Sequence, residues 1–139
     1  ILPLICFEVA FPYQLSANFN NDTQMMLTVS NDTWFGASHG PHQHLEIARM
    51  RALEFARPML RATNNGVTAV IDHQGNINAV LPQFEEGVLK TEVTTMKGNT
   101  IYSQYALLIH LSLPLFSILI FMLTRARSNR RNNLIQTRI

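Results

Sequence analysis

The sequence is poor in charge and almost devoid of cysteine. Its 139 residues include one cysteine, Cys6, which excludes a disulfide scaffold within the chain. Charged residues make up 14%, against about 25% in an ordinary domain. Because 47% of residues are hydrophobic, the low charge does not signal disorder, which needs few apolar side chains and much charge. Lysine occurs only at Lys90 and Lys97. There is no His-Glu-x-x-His stretch and no cysteine pair, so the familiar zinc spacings are missing. A charged leader with a small-residue cleavage site is missing as well. The first residue is Ile1 and Ile1–Ile5 is already apolar, so we expect the C-terminal part of a longer chain.

What charge there is sits unevenly. Residues 1–105 carry six basic and nine acidic side chains, net −3. Residues 106–124 (ALLIHLSLPLFSILIFMLT) carry none, and residues 125–139 carry five arginines and no acid. The basic sequence pI of 9.0 therefore belongs to a tail, which argues against a nucleic-acid partner. A helix over the 19 residues Ala106–Thr124 rises about 28 Å, close to the hydrocarbon thickness of a bilayer. His110 and Pro114 are its awkward residues, and a buried core helix is the competing reading. Tyr102 and Tyr105 precede the span, where aromatic rings favour the interface. Arg125, Arg127, Arg130 and Arg131 follow it, which places the tail in the cytoplasm and residues 1–105 on the other side.

Apolar periodicity organises residues 1–105. Ile1–Cys6 and Met25–Ser30 read as strands, and Phe11–Phe19 reads as a short helix with Pro12 in its first turn. Asn31–Pro41 is a loop. His42–Arg57 is the clearest helix, with Leu45, Ala48, Ala52 and Phe55 on one face, Glu46/Arg49 and Glu54/Arg57 as possible i, i+3 pairs, and Pro58 closing it. Asn64-Asn65-Gly66 reads as a turn. Val67–Asp72 and Ile77–Leu81 flank His73-Gln74-Gly75-Asn76 as a β-hairpin, and Gly87–Val93 reads as one more strand. Residues 94–105 form a polar connector. Strands and helices alternate before the hairpin, so the class is α/β or α+β with several strands in one sheet.

Few residues here can carry chemistry. Cys6 ends an apolar strand, a position that holds a nucleophile rigidly against a cleft, although a cysteine in such a run also serves as a small buried hydrophobe. A thiol needs a base or a positive neighbour to become thiolate, and Glu8 stands two residues on. His39, His42 and His44 form a metal-like cluster without the cysteine or carboxylate partners zinc usually takes, so a polar helix start is the stronger reading. Trp34 and Phe35 lie in a loop, where they line an acyl pocket, touch lipid headgroups or cap the core.

Three stretches change the weight of these alternatives. They are Ile5-Cys6-Phe7-Glu8 with Phe11-Pro12; Val29-Ser30-Asn31-Asp32-Thr33-Trp34-Phe35-Gly36; and Gln43-His44 leading into Ala48-Arg49-Met50-Arg51-Ala52-Leu53-Glu54, Arg57-Pro58 and Arg61-Ala62-Thr63-Asn64-Asn65-Gly66. In this order and spacing the chain resembles the C-terminal part of the apolipoprotein N-acyltransferase family. These are bacterial inner-membrane enzymes with a nitrilase-like (carbon–nitrogen hydrolase) domain. The resemblance extends over the single apolar span and the basic tail.

It implies a partial nitrilase-like αββα sandwich facing the periplasm over residues 1–105, a transmembrane helix over 106–124 and a cytoplasmic tail over 125–139. It also implies a Glu–Lys–Cys triad with Cys6 as nucleophile and Glu8 matching a supporting acidic residue. Phe7 and Trp34 would line the substrate site. The implied reaction passes a fatty acyl chain from a membrane phospholipid, through a Cys6 thioester, to the N-terminal diacylglyceryl-cysteine amine of an apolipoprotein. No cofactor and no metal are implied. Two features depart from the family pattern. The triad Glu and Lys lie upstream of the cysteine in the family, so the 139 residues alone should be inactive. Phe7 stands where the family usually has Tyr, which keeps the ring and loses the hydroxyl. The competing functions are a nitrilase-superfamily amidase acting on a small amide and a noncatalytic membrane-tethered module.

Overall fold

The computed structural model describes the backbone of residues 1–136 and the side chains of residues 1–127. The tail arginines Arg130, Arg131 and Arg138 therefore lie outside the described side chains. Two compact units divide the chain, Ile1–Ala106 and Leu107–Ile139.

In the first unit, apolar runs too short for helices become strands. β1 (Leu2–Ile5), β2 (Met26–Asn31) and β3 (Met59–Asn64) lie parallel, and β4 (Thr68–Ile71) and β5 (Ile77–Leu81) add antiparallel, in the order β1-β2-β3-β4-β5. Parallel neighbours need crossovers, and helices supply them. α1 (Pro12–Asn18) lies between β1 and β2, and α2 (Gly40–Phe55) between β2 and β3. This is the α/β class anticipated from the sequence.

Alternation along the strands decides which face is core. Leu2, Leu4, Met26, Met59, Ala69 and Ile71 are buried with Leu45, Ala48, Ala52 and Phe55 of α2. Each large apolar side chain so buried contributes about 1.5–3 kcal/mol. On the opposite face the register aligns Ile5, Val29 and Ala62, all exposed.

α2 runs Gly40–Phe55 rather than His42–Arg57. Ala56 turns left-handed (φ 47°) and its N–H donates to the carbonyls of Ala52 and Leu53, which stops the helix two residues early. The Glu46–Arg49 pair forms at 2.9 Å, whereas Glu54 pairs with Arg51 rather than with Arg57. Two strand assignments are corrected. Met59–Asn64 is a strand in the middle of the sheet that periodicity missed, because Arg61 interrupts its apolar pattern. Gly87–Val93 forms no strand; it has the right composition but pairs with neither edge of the sheet, β1 nor β5, among the described residues. The hairpin turn forms as read, with Gly75 at φ 82°.

The connector docks through a few bonds. The Met96 N–H donates to the Gln24 carbonyl at 3.1 Å, and Thr100 Oγ1 donates to the Glu54 carbonyl at 2.6 Å. Tyr102 packs edge-on against Phe55 at 5.7 Å. α3 (Ile101–Gln136) begins here, with Tyr105 out of helical geometry. Within the second unit the apolar side chains from Leu107 to Leu123 are exposed, unlike those of a buried core helix. Ile101–Arg127 is long and apolar enough to cross a membrane. Its hydroxyls are satisfied locally: Ser112, Ser117 and Thr124 donate to the carbonyls of Ile109, Leu113 and Phe121 at 2.7–2.9 Å.

Candidate active site

Three parallel strands bring their C-terminal ends to one edge of the sheet, the usual place for a site in an α/β fold. Cys6 follows β1, Ser30 and Asn31 end β2 with Asp32 just after it, and Asn64 ends β3 with Asn65 and Gly66 following. Cys6 opens a 3-10 turn, Cys6–Ala10, with φ 51°. A left-handed backbone costs a non-glycine residue about 1–2 kcal/mol, so the surroundings must hold it. Glu8 helps to do so: its Oε2 accepts the Ile5 N–H at 2.7 Å and closes the turn.

Below the thiol lies a buried polar cluster. Ser30 Oγ is 3.3 Å from Cys6 Sγ and 2.6 Å from Asp32 Oδ1. Asp32 is fully buried; its Oδ2 accepts from Arg61 Nη2 at 2.6 Å, and its Oδ1 lies 3.1 Å from His44 Nδ1. His44 Nε2 donates to the Cys6 carbonyl at 3.2 Å. Burial pushes the Arg61 guanidinium below the ordinary arginine value, and Asp32, then Cys6, pull it back. Gly66 is required beside this cluster, since a Cβ there would stand 2.3 Å from Asp32 Oδ2.

Aromatic rings surround the thiol turn. Phe7 packs on Phe11 at 6.0 Å and on His44 at 5.7 Å, yet stays 47% exposed. Trp34 stacks on Phe35 at 4.8 Å and is 73% exposed, so it does not cap the core. Of the three histidines weighed as metal ligands, His39 and His42 are exposed and His44 is buried, its ring committed to Asp32 and the Cys6 carbonyl. Lys90, in the Gly87–Val93 stretch, and Lys97, on the connector, are both exposed. Ser30, Asp32 and Arg61 were not singled out from the sequence. The available signal was a Ser-x-Asp at the end of an apolar strand, with an arginine in the middle of the next one.

The family model for carbon-nitrogen hydrolases matches residues 1–100, a stretch that includes all of these groups. The chain belongs to the carbon-nitrogen hydrolase family. Among curated members, this carbon-nitrogen hydrolase chain is 57% identical over 104 residues to the apolipoprotein N-acyltransferase of Shewanella oneidensis, covering 75% of this chain and 20% of that one. It is 55% identical over 102 residues to that of Vibrio vulnificus (73% and 20%) and 59% identical over 98 residues to that of Vibrio cholerae (70% and 19%). The chain thus spans about a fifth of the length of the curated relatives it matches. As a carbon-nitrogen hydrolase, it presents at its strand edge a thiol on a strained turn, hydrogen-bonded below and rimmed by aromatic rings. That arrangement can hold a nucleophile beside an apolar surface.

Proposed function

We propose that the chain is the C-terminal part of an apolipoprotein N-acyltransferase, with Cys6 as its nucleophile. The observation that carries this is Cys6 at φ 51° on the sheet edge, with Phe7 exposed on the same turn, in a chain 53–59% identical to four relatives of that name. The Cys6 thiolate attacks the ester carbonyl of a phospholipid. The carbonyl–oxygen bond breaks, the lysophospholipid oxygen takes up a proton, and a thioester forms on Cys6. The α-amine of an apolipoprotein's diacylglyceryl-cysteine then attacks that thioester, loses a proton, and expels the thiolate to leave an amide. Upstream Glu and Lys of the parent would act as the proton-handling partners of Cys6.

Glu8 supports the site by closing the turn, and Phe7 and Trp34 would contact the acyl chain. The exposed sheet face bearing Ile5, Val29 and Ala62 is where the second sheet of an αββα sandwich would pack. The span Ala106–Thr124 keeps the site close to substrates that reside in the bilayer, with residues 1–105 periplasmic and the tail cytoplasmic in the inner membrane.

The test is a mass measurement. Full-length parent mixed with phospholipid should gain one acyl mass on the Cys6 peptide, removable by hydroxylamine. An unmodified Cys6 peptide in folded, lipid-exposed parent would overturn the acyltransferase reading. A Cys6→Ala parent that still N-acylates lipoprotein would overturn the choice of nucleophile.

A further inference from the structure

We propose that Asp32 is a positioning residue that holds Cys6 at both ends, the thiol through Ser30 and the carbonyl through His44. This deepens the reading of Cys6 as the nucleophile and rests on it. The geometry converges on one oxygen: Asp32 Oδ1 is 2.6 Å from Ser30 Oγ and 3.1 Å from His44 Nδ1. Each of those partners in turn reaches Cys6, Ser30 at the sulfur (3.3 Å) and His44 at the carbonyl oxygen (3.2 Å).

Counting protons assigns the bonds. A carbonyl oxygen only accepts, so His44 Nε2 carries a proton and donates it to Cys6. His44 Nδ1 then faces Asp32 Oδ1 and, at 3.2 Å, Arg61 Nη2. The carboxylate and the guanidinium it grips therefore fix that ring nitrogen together. Ser30 has one hydroxyl proton and two neighbours. At 2.6 Å the carboxylate takes that proton, in the range of a charge-assisted bond. The Ser30 lone pairs are left facing Sγ, so the resting thiol donates to Ser30. When the sulfur carries negative charge the same hydroxyl turns and donates to it, and Asp32 keeps Arg61 and His44 as partners. Ser30 thus serves the sulfur as thiol, as attacking thiolate and as leaving group.

Asp32 is itself held from every side. Its N–H donates to the Asn64 carbonyl at 3.0 Å, its carbonyl accepts the Phe35 N–H at 3.0 Å, and Arg61 grips Oδ2. Burying an ion pair is poor value for stability alone, because desolvation offsets the attraction. Holding a strained nucleophile still is a use that fits its position under Cys6.

The experiment uses the full-length parent in membranes. Ser30 is half-buried and at the strand end, and Asp32 keeps Arg61 and His44, so Ser30→Ala should fold with a slightly lowered melting temperature. The rate of acyl-enzyme formation at saturating phospholipid should fall by about 10- to 100-fold, the weight of one hydrogen bond to a charged group, with KM little changed. Ser30→Thr should restore most of the rate. Asp32→Asn, where it folds, should slow the step further. The rate of Cys6 alkylation by iodoacetamide should fall in parallel. A Ser30→Ala parent with the wild-type acylation rate and wild-type alkylation would overturn the proposal, and so would a loss that Thr does not restore. The Cys6→Ala parent keeps the two readings apart: if it remains active the nucleophile assignment fails, while the alkylation series still reports whether Ser30 and Asp32 position the thiol.

Discussion

Arg57 sits just beyond α2 and is almost fully buried, with no carboxylate paired to it among the described residues. Its guanidinium donates instead to carbonyls: Thr23 at 2.5 Å, Ala56 at 3.0 Å, Phe55 at 3.4 Å, and Gly98 on the connector. Two of these belong to the end of α2, where the helix dipole favours a cation. The Phe19 ring lies 5.0 Å from the guanidinium carbon and adds a cation–π contact. Burial pushes the Arg57 pKa below the ordinary arginine value. One side chain therefore ties the β1–β2 crossover, the helix end and the connector. Arg57→Ala strands those carbonyls and should lower stability by about 3 kcal/mol, read as a fall in the thermal midpoint of the parent. Arg57→Lys keeps the charge but not the fork, and should recover only part of it. The same residue shows where reading residue types fails. The spacing of Glu54 and Arg57 advertised an i, i+3 pair, and the helix end broke it by turning Arg57 inward. Cys6 and Glu8 were legible because they stand two residues apart at a strand end. Asp32, His44 and Arg61 were not, because they come from a loop, a helix and a strand, and only the fold brings them together.

The elements that position the site depend on two turns. Asn65-Gly66 closes β3 onto β4 with Asn65 at φ 57°, and Gly66 leaves the room that the Asp32 carboxylate occupies. Gly66→Ala must push Asp32 away or fail to form the turn. It should cost about 1–3 kcal/mol of stability and slow Cys6 alkylation, a pairing of effects that a plain turn defect would not produce. The second turn joins β4 to β5. Slight burial of Asp72 raises its pKa, but the backbone and side-chain N–H groups of Asn76 and the backbone N–H of Gln74 outweigh it, with His73 helping, and hold it below 3.8. A carboxylate with a lowered folded pKa stabilises above its unfolded value, and that gain is lost as pH falls through the folded value. The stability gap between the parent and an Asp72→Asn variant should therefore be full at neutral pH and close as pH drops below about 4. A gap that persists at pH 2 would count against the charge as its source. This hairpin was readable because its turn chemistry is local. β3 was not, since a central strand that carries a buried Arg61 breaks the apolar signature, and Gly87–Val93 shows the converse, a strand-like composition that joins no sheet edge among the described residues.

At the scale of the molecule, charge and hydropathy are separated along the chain rather than mixed. The first 105 residues are net acidic, the next 19 are uncharged, and all five remaining charges are arginines. The helix Ile101–Gln136 runs through the uncharged stretch, with the apolar side chains from Leu107 to Leu123 exposed and the hydroxyls of Ser112, Ser117 and Thr124 bonded to its own backbone. Such a surface is stable in lipid and unstable in water. In the proposed reading Arg125, Arg127, Arg130 and Arg131 set its direction, since short basic flanks stay cytoplasmic and each arginine near an anionic leaflet contributes about 1 kcal/mol. Only that orientation sets Cys6 on the periplasmic side, so the direction of the span can be tested without any assay of acyl transfer. An Asn129→Cys parent, with Cys6 replaced by Ala and other thiols removed, should react with a membrane-impermeant maleimide in inverted vesicles and stay unlabelled in intact spheroplasts. Labelling of spheroplasts at full yield would reverse the topology, and with it the placement of Cys6 outside the cytoplasm.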